Sequence, residues 1–256
     1  MFPIGDDNPT VRRPVMTWVI LAAILAVWIF VQGAGMADGG YALVKSVCNL
    51  GLVPGELTGL AREGLALPMA PGVACVVDRD PINTLTPVTS MFLHGSWGHL
   101  LSNSLYFWVF GNNIEDSMGR GRFVLFYLLC GLAAAGAHVA IDPASPVPTV
   151  GASGAISGIM GAYLVLYPRA HVRMLWLVFV TRFPAWLVLV WWFGTQVLAG
   201  LPDLTPVRGD VSGGVAVWAH VGGFIAGVVL VKLFENRDLV RRRVVAGDAR
   251  ATFEAR

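Results

Sequence analysis

The sequence predicts an all-α membrane protein: one bundle of six transmembrane helices with a long first outer loop. Three observations carry that expectation. Of the 256 residues, 55% are hydrophobic and only 13% charged, whereas soluble domains carry about 25% charged residues. Six apolar runs, about 15–35, 97–114, 121–140, 150–167, 184–201 and 213–233, approach the roughly 20 residues that a span needs. The cations fall on one side. With a cytoplasmic N-terminus, fourteen Lys and Arg lie in inner segments and four (Lys45, Arg62, Arg79 and Arg208) in outer ones. That bias marks cytoplasmic segments and puts both termini inside.

The elements follow in order. Residues 1–14, with Asp6, Asp7 and Pro9, form a short cytoplasmic N-terminal segment, and 15–233 form the six-helix membrane domain. Arg12 and Arg13 before an apolar run ending near Gly33-Ala34-Gly35-Met36-Ala37 also fit a cleavable signal peptide. The run is long for that, and an uncleaved first span is preferred. The outer loop 37–90 has two apolar pieces, Tyr41 to Leu52 and Leu57 to Met69. Both are too short to span and are expected as short interfacial helices. Cys48 and Cys75 lie in this loop and pair if it faces an oxidising compartment; otherwise they are two buried thiols. Cys130, inside span 3, is expected in the core.

Span 2 runs from Trp97 to Glu115, and the turn 116–122 leads to span 3, which ends at His138. Span 4 stops at Pro168. Residues 169–183 interleave apolar residues with Arg169, His171, Arg173 and Arg182 and are expected to lie along the inner interface. Pro184 suits the first turn of span 5. Span 6 carries His220, and 234–256 form a charged cytoplasmic tail. No internal repeat is present.

The chemistry centres on Gly151-Ala152-Ser153-Gly154, which opens span 4. At about 100° per residue, Gly151, Gly154, Gly158 and Gly161 share one narrow sector, and Ser153 points about 120° away from it. The bare sector suits close helix packing. Alone, Ser153 reads as a small packing residue. Under the six-span topology, however, Ser153, His220, His99 and Asn103 enter spans 4, 6 and 2 at similar depths, about 5–10 Å below the outer boundary. Polar groups inside a membrane are functional candidates by default. A serine hydroxyl needs a base within hydrogen-bond reach, and His220 suits that role. Gly223 and Gly227 share the helix side of His220 and let span 6 approach span 4. No acid in these spans orients His220; Asp203 and Asp210 in the adjoining loop are weak candidates. His99 and Asn103, four residues apart on one face, are oxyanion donors by position, with the Ser153 backbone N–H as another.

These motifs resemble those of rhomboid intramembrane serine proteases. The matching pieces are Gly151-Ala-Ser153-Gly154, Ala219-His220-Val-Gly222-Gly223, His94-x4-His99-x3-Asn103 and, at the inner end, Gly111-x3-Glu115-x3-Gly119. The resemblance covers essentially the whole chain. It implies Ser153 as nucleophile, His220 as general base, and an oxyanion hole lined by His99, Asn103 and Ser153. His94 is then structural or near the water access, and Gly151, Gly154, Gly222 and Gly223 support the contact. The implied substrates are single-span or other transmembrane proteins, entering near spans 2 and 5. Two departures stand out. Some members carry a Tyr four residues after the nucleophile, stacked on the histidine, where this chain has Ser157; and the Trp-x-Arg often found in the first outer loop is absent.

Other readings compete. A catalytically inactive rhomboid-like factor that binds membrane proteins commonly lacks Ser153 or His220, and both are present. A small transporter more often shows inverted repeats or broken helices. A metalloprotease is opposed by the lack of His-Glu-x-x-His, and no carboxylate or Cys joins His94, His99 and His220 at ligand spacing. No metal or cofactor is therefore expected. No basic cluster reads as a nucleic-acid surface. The expected location is a bacterial inner membrane, since no transit-like leader is visible. The sequence does not set an oligomeric state.

Overall fold

The computed structural model describes residues 2–36, 40–70, 72–204 and 216–241. Helices dominate. Helix α1 (Val15–Ala26) continues through a wider turn, Val27–Val31, to Gln32. In the first loop, α2 (Tyr41–Leu50) and α3 (Pro54–Thr58) precede the strands β2 (Ala66–Ala70) and β3 (Val73–Val76). A short helix α4 (Thr86–Thr89) then leads to α5 (Trp97–Met118) and α6 (Arg120–Ile141). Helix α7 (Ser153–Leu166) is followed by strands β4 (His171–Trp176) and β5 (Phe179–Pro184). Helices α8 (Ala185–Gly200) and α9 (Val217–Phe234) complete the bundle. Among the described residues, α6, α8 with its following turn, and α9 are long and apolar enough to cross a membrane. Helix α5 has the length, but Asn112, Asn113, Glu115 and Asp116 make its C-terminal end polar.

Helix α7 is the centre of the bundle. Every residue from Gly154 to Tyr163 is buried. A helix apolar all round needs neighbours on all sides, and α5, α6, α8 and α9 provide them. The closest neighbour is α9. A Cβ on Gly223 would collide with the Gly154 carbonyl, and one on Gly227 with the Gly158 carbonyl. Gly222 faces the other way, against Ala133 and Ala137 of α6. Gly154, Gly158 and Gly161 form a face as expected from their spacing. Gly151 does not join them, because it precedes the helix.

The C-terminal end of α5 is tied to α1 by carboxylates. No side chain within α1 caps its first turn, so Glu115 of α5 reaches across. Its oxygens accept from Met16 N at 2.9 Å, Thr17 N at 2.8 Å and Thr17 Oγ1 at 2.9 Å. The negative charge also suits a helix N-terminus. Asp116 takes the backbone N–H groups of Val11 and Arg12 and the Arg12 guanidinium. Gly119, at φ 84°, makes the turn between α5 and α6.

Strands add to the helical frame. β1 (Phe2–Asp6) is the edge of an antiparallel sheet ordered β1-β4-β5. Residues 171–184 form its hairpin. The reason is a period of two: Val172 and Met174 are buried while His171 and Arg173 are exposed. In the first loop, Tyr41 to Leu50 is helical as expected, but the second apolar piece is split. Its end pairs as β2 with β3, where Leu67 faces Cys75. Cys75 is disulfide-bonded to Cys48 of α2, and Cys130 is free and buried.

Candidate active site

Ser153 is the first residue of α7. Its backbone N–H therefore has no carbonyl one turn earlier to bond. Ahead of it, Gly151 adopts φ 132°, which only glycine takes readily. A Cβ at Gly151 would stand 2.7 Å from two atoms of the His99 ring. The glycine thus lets His99 lie against the nucleophile turn. Gly151 N donates to Ser90 O at 2.9 Å, which pins this turn to the segment before α5.

His220, on α9, is buried, at 8% exposure. Its Nε2 lies 2.7 Å from Ser153 Oγ. Its Nδ1 lies 2.7 Å from Gln196 Oε1 on α8. Gln196 therefore holds the seat beside the base; Asp203 sits in the exposed turn Leu201–Leu204. Asp210 lies outside the described residues. The Trp192 ring lies 5.7 Å from the His220 ring at 42°. Trp192 thus provides the aromatic packing that position 157 does not; Ser157 Oγ instead donates to Ser153 O at 2.6 Å.

On α5, the Ser96 hydroxyl caps the helix by accepting from His99 N at 3.1 Å. Asn103 is buried, and its amide lies 3.0 Å from His94 Nε2. His94, in the loop ahead of α5, is wholly buried. Burial, with His99 nearby, lowers its pKa to about 3, so the ring is neutral and Nε2 can accept from Asn103. Gln32, at the end of α1, grips the backbone of His94 twice. Its amide donates to His94 O and accepts from His94 N, both at 2.8 Å. His94 thus anchors the amide of Asn103 rather than facing the cavity.

Ser153, His220, His99 and Asn103 line one cavity of about 890 Å³. Its wall includes Leu67, Pro68 and Met69 of β2, Trp192 of α8, Tyr106 of α5 and Phe2 of β1. The space is thus roofed by the first loop and extends down between α5 and α8. Those two helices make no substantial contact with each other. No group of His, Cys, Asp or Glu suited to a metal ion occurs among the described residues.

Sequence reasoning missed Gln196, Trp192 and Gln32. A signal existed for the first: Thr195 and Gln196 are the polar residues in an otherwise apolar α8, and polar groups within spans merit attention. Nothing local pointed from Gln196 to a histidine 24 residues later.

Fold and site together define a class: a helical membrane protein with a serine–histidine pair held between glycine-faced helices. Residues 83–237 match the Rhomboid domain model. The chain belongs to the rhomboid family. It is 42% identical over 80 residues to "Rhomboid protease GluP" of Bacillus subtilis, covering 31% of this chain and 15% of that protein. It is 31% identical over 155 residues to "Rhomboid-like protein 11, chloroplastic" of Arabidopsis thaliana, covering 58% and 52%. It is 37% identical over 79 residues to "Putative rhomboid protease YdcA" of Bacillus subtilis, covering 31% and 39%. The matches thus span about half or less of these relatives.

Proposed function

We propose that this chain is an intramembrane serine endopeptidase that hydrolyses a peptide bond in or near the transmembrane segment of another membrane protein. The observation that carries this reading is the 2.7 Å separation of His220 Nε2 and Ser153 Oγ inside the cavity. Serine becomes a competent nucleophile when a base takes its proton. Ser153 Oγ attacks the scissile carbonyl carbon as its proton passes to His220 Nε2. The oxyanion is met by the Ser153 N–H, the amide of Asn103 and a ring N–H of His99. His220 then gives the proton to the leaving amine. Water, activated by the same ring, hydrolyses the acyl-serine and frees the enzyme.

The names of two relatives, "Rhomboid protease GluP" and "Putative rhomboid protease YdcA", support a protease. The cleft between α5 and α8 suits a transmembrane segment arriving from the side. Such a segment must unwind locally, because a helical peptide bond is shielded and already hydrogen-bonded. The reading carries six spans, both termini cytoplasmic, a membrane domain over 15–233 and a bacterial inner membrane as its location.

The test uses purified protein in lipid and a single-span polypeptide with a small residue near the outer end of its span. The expected result is cleavage by the wild type and none by Ser153→Ala or His220→Ala, with all three folded. Binding without cleavage, and no labelling of Ser153 by a fluorophosphonate, would point instead to an inactive rhomboid-like binding factor.

A further inference from the structure

We propose that Gln196 is a positioning residue for His220: it decides which ring nitrogen carries the proton, and so keeps Nε2 bare toward Ser153. The inference rests on the protease reading and adds a third member to its dyad. A neutral imidazole carries one proton, and the partner of one nitrogen settles the state of the other. With Gln196 Oε1 accepting at 2.7 Å, Nδ1 carries the proton. Nε2 then has its lone pair free for the Ser153 hydroxyl, also at 2.7 Å. Were the amide turned over, its NH₂ would face Nδ1. The proton would move to Nε2, and the ring could no longer act as a base.

The amide therefore needs its own restraint, and α8 provides one. Thr195 Oγ1 donates to Trp192 O at 2.6 Å. That commits the hydroxyl hydrogen and leaves its lone pairs to accept. Gln196 Nε2 makes a long contact of 3.5 Å to this oxygen. The direction of donation then runs unbroken. Ser153 donates to His220, His220 to Gln196, Gln196 to Thr195, and Thr195 to the backbone of α8. Trp192 lies beside the ring and limits its rotation. A neutral amide orients the imidazole without stabilising the imidazolium as a carboxylate would. The other titratable groups felt by His220 are His99 of α5 and His138 of α6. Helices α7 and α8 contribute no charged residue.

The experiment measures kcat and KM across pH for the single-span substrate, in lipid, with wild type, Ser153→Ala, Gln196→Met, Gln196→Glu and Thr195→Val. Methionine keeps the length but accepts poorly. Its kcat is expected to fall about tenfold to a hundredfold with KM unchanged, as when an orienting partner is removed. Gln196→Glu keeps the acceptor and adds a charge beside the ring. It should retain cleavage while the acid limb of kcat/KM moves up by about one pH unit or more. Thr195→Val should lose several-fold. If Gln196→Met does not fold, nitrogen NMR of the wild-type His220 ring decides: a protonated Nδ1 and a bare Nε2 are expected, and the opposite tautomer overturns the proposal. A Gln196→Met variant with wild-type kcat, or a Gln196→Glu profile superposing on the wild type, overturns the proposal alone. A wild type that neither cuts nor labels with a fluorophosphonate overturns the protease reading and this inference with it.

Discussion

Gly223 of α9 and Gly154 of α7 meet backbone to backbone: a Cβ on Gly223 would collide with the Gly154 carbonyl. Ser153 precedes one of these residues, and His220 lies three before the other. The gap between nucleophile and base is therefore set by two main chains.

Gly223→Ala tests this directly. The added methyl must push α9 from α7, at about 1–3 kcal/mol of overpacking. The His220–Ser153 contact of 2.7 Å opens with it. Misplacement by about 1 Å can cost roughly a hundredfold in rate. Cleavage of the single-span substrate should fall by about that factor, with a lowered thermal midpoint. Full activity would mean the helices relax elsewhere.

Gly151→Ala combines backbone strain at φ 132° with a clash against His99. The His99 ring must leave its place beside the nucleophile turn. Loss of one oxyanion donor typically costs about 10²–10³ in kcat. A loss in that range is expected, with KM little changed. A rise in KM with kcat unchanged would move His99 out of the oxyanion hole.

Asn103→Ala should lose a similar factor in kcat. It also strips His94 Nε2 of its partner, and an unsatisfied buried acceptor costs about 1–3 kcal/mol. Activity and thermal stability should therefore fall together, whereas Ser153→Ala should lower activity alone. Unchanged stability in Asn103→Ala would mean another group reaches His94.

Glu115→Ala removes the acceptor for Met16 N, Thr17 N and Thr17 Oγ1. About 1–3 kcal/mol of stability should go with it. Activity per folded molecule should stay near the wild type, because Glu115 lies at the far end of α5 from His99. Loss of activity without loss of stability would contradict its role as a cap for α1.

Cys48→Ser opens a loop whose ends are 27 residues apart in sequence. The chain-entropy relation gives about 3–4 kcal/mol for a closure of that length. Thermal unfolding should shift down to match, and a reductant should shift the wild type but not the variant. Equal midpoints for wild type and variant would mean the bridge does not stabilise the fold.

The helical frame was legible because apolar length and glycine spacing are local signals. The runs at 121–140 and 213–233 reappear as α6 and α9, and the bare face of Gly154, Gly158 and Gly161 meets Gly223 and Gly227. Ser153 and His220 could be singled out because polar residues in apolar runs are few. The hairpin at His171–Pro184 has a local signal as well, since buried Val172 and Met174 alternate with exposed His171 and Arg173. Gln196 and Gln32 were out of reach. Each acts through a partner far along the chain, His220 and His94, and no spacing rule links a glutamine to a histidine on another helix.

The Cys48–Cys75 bond also works as a compass. Such bonds persist in oxidising compartments and are rare where thiols are kept reduced. The bond sits in the loop that roofs the cavity, and the roof residue Leu67 pairs with Cys75 itself. Wherever the needle points, the mouth of the cavity points too. Under the proposed topology that side is the outer one, where such a bond persists.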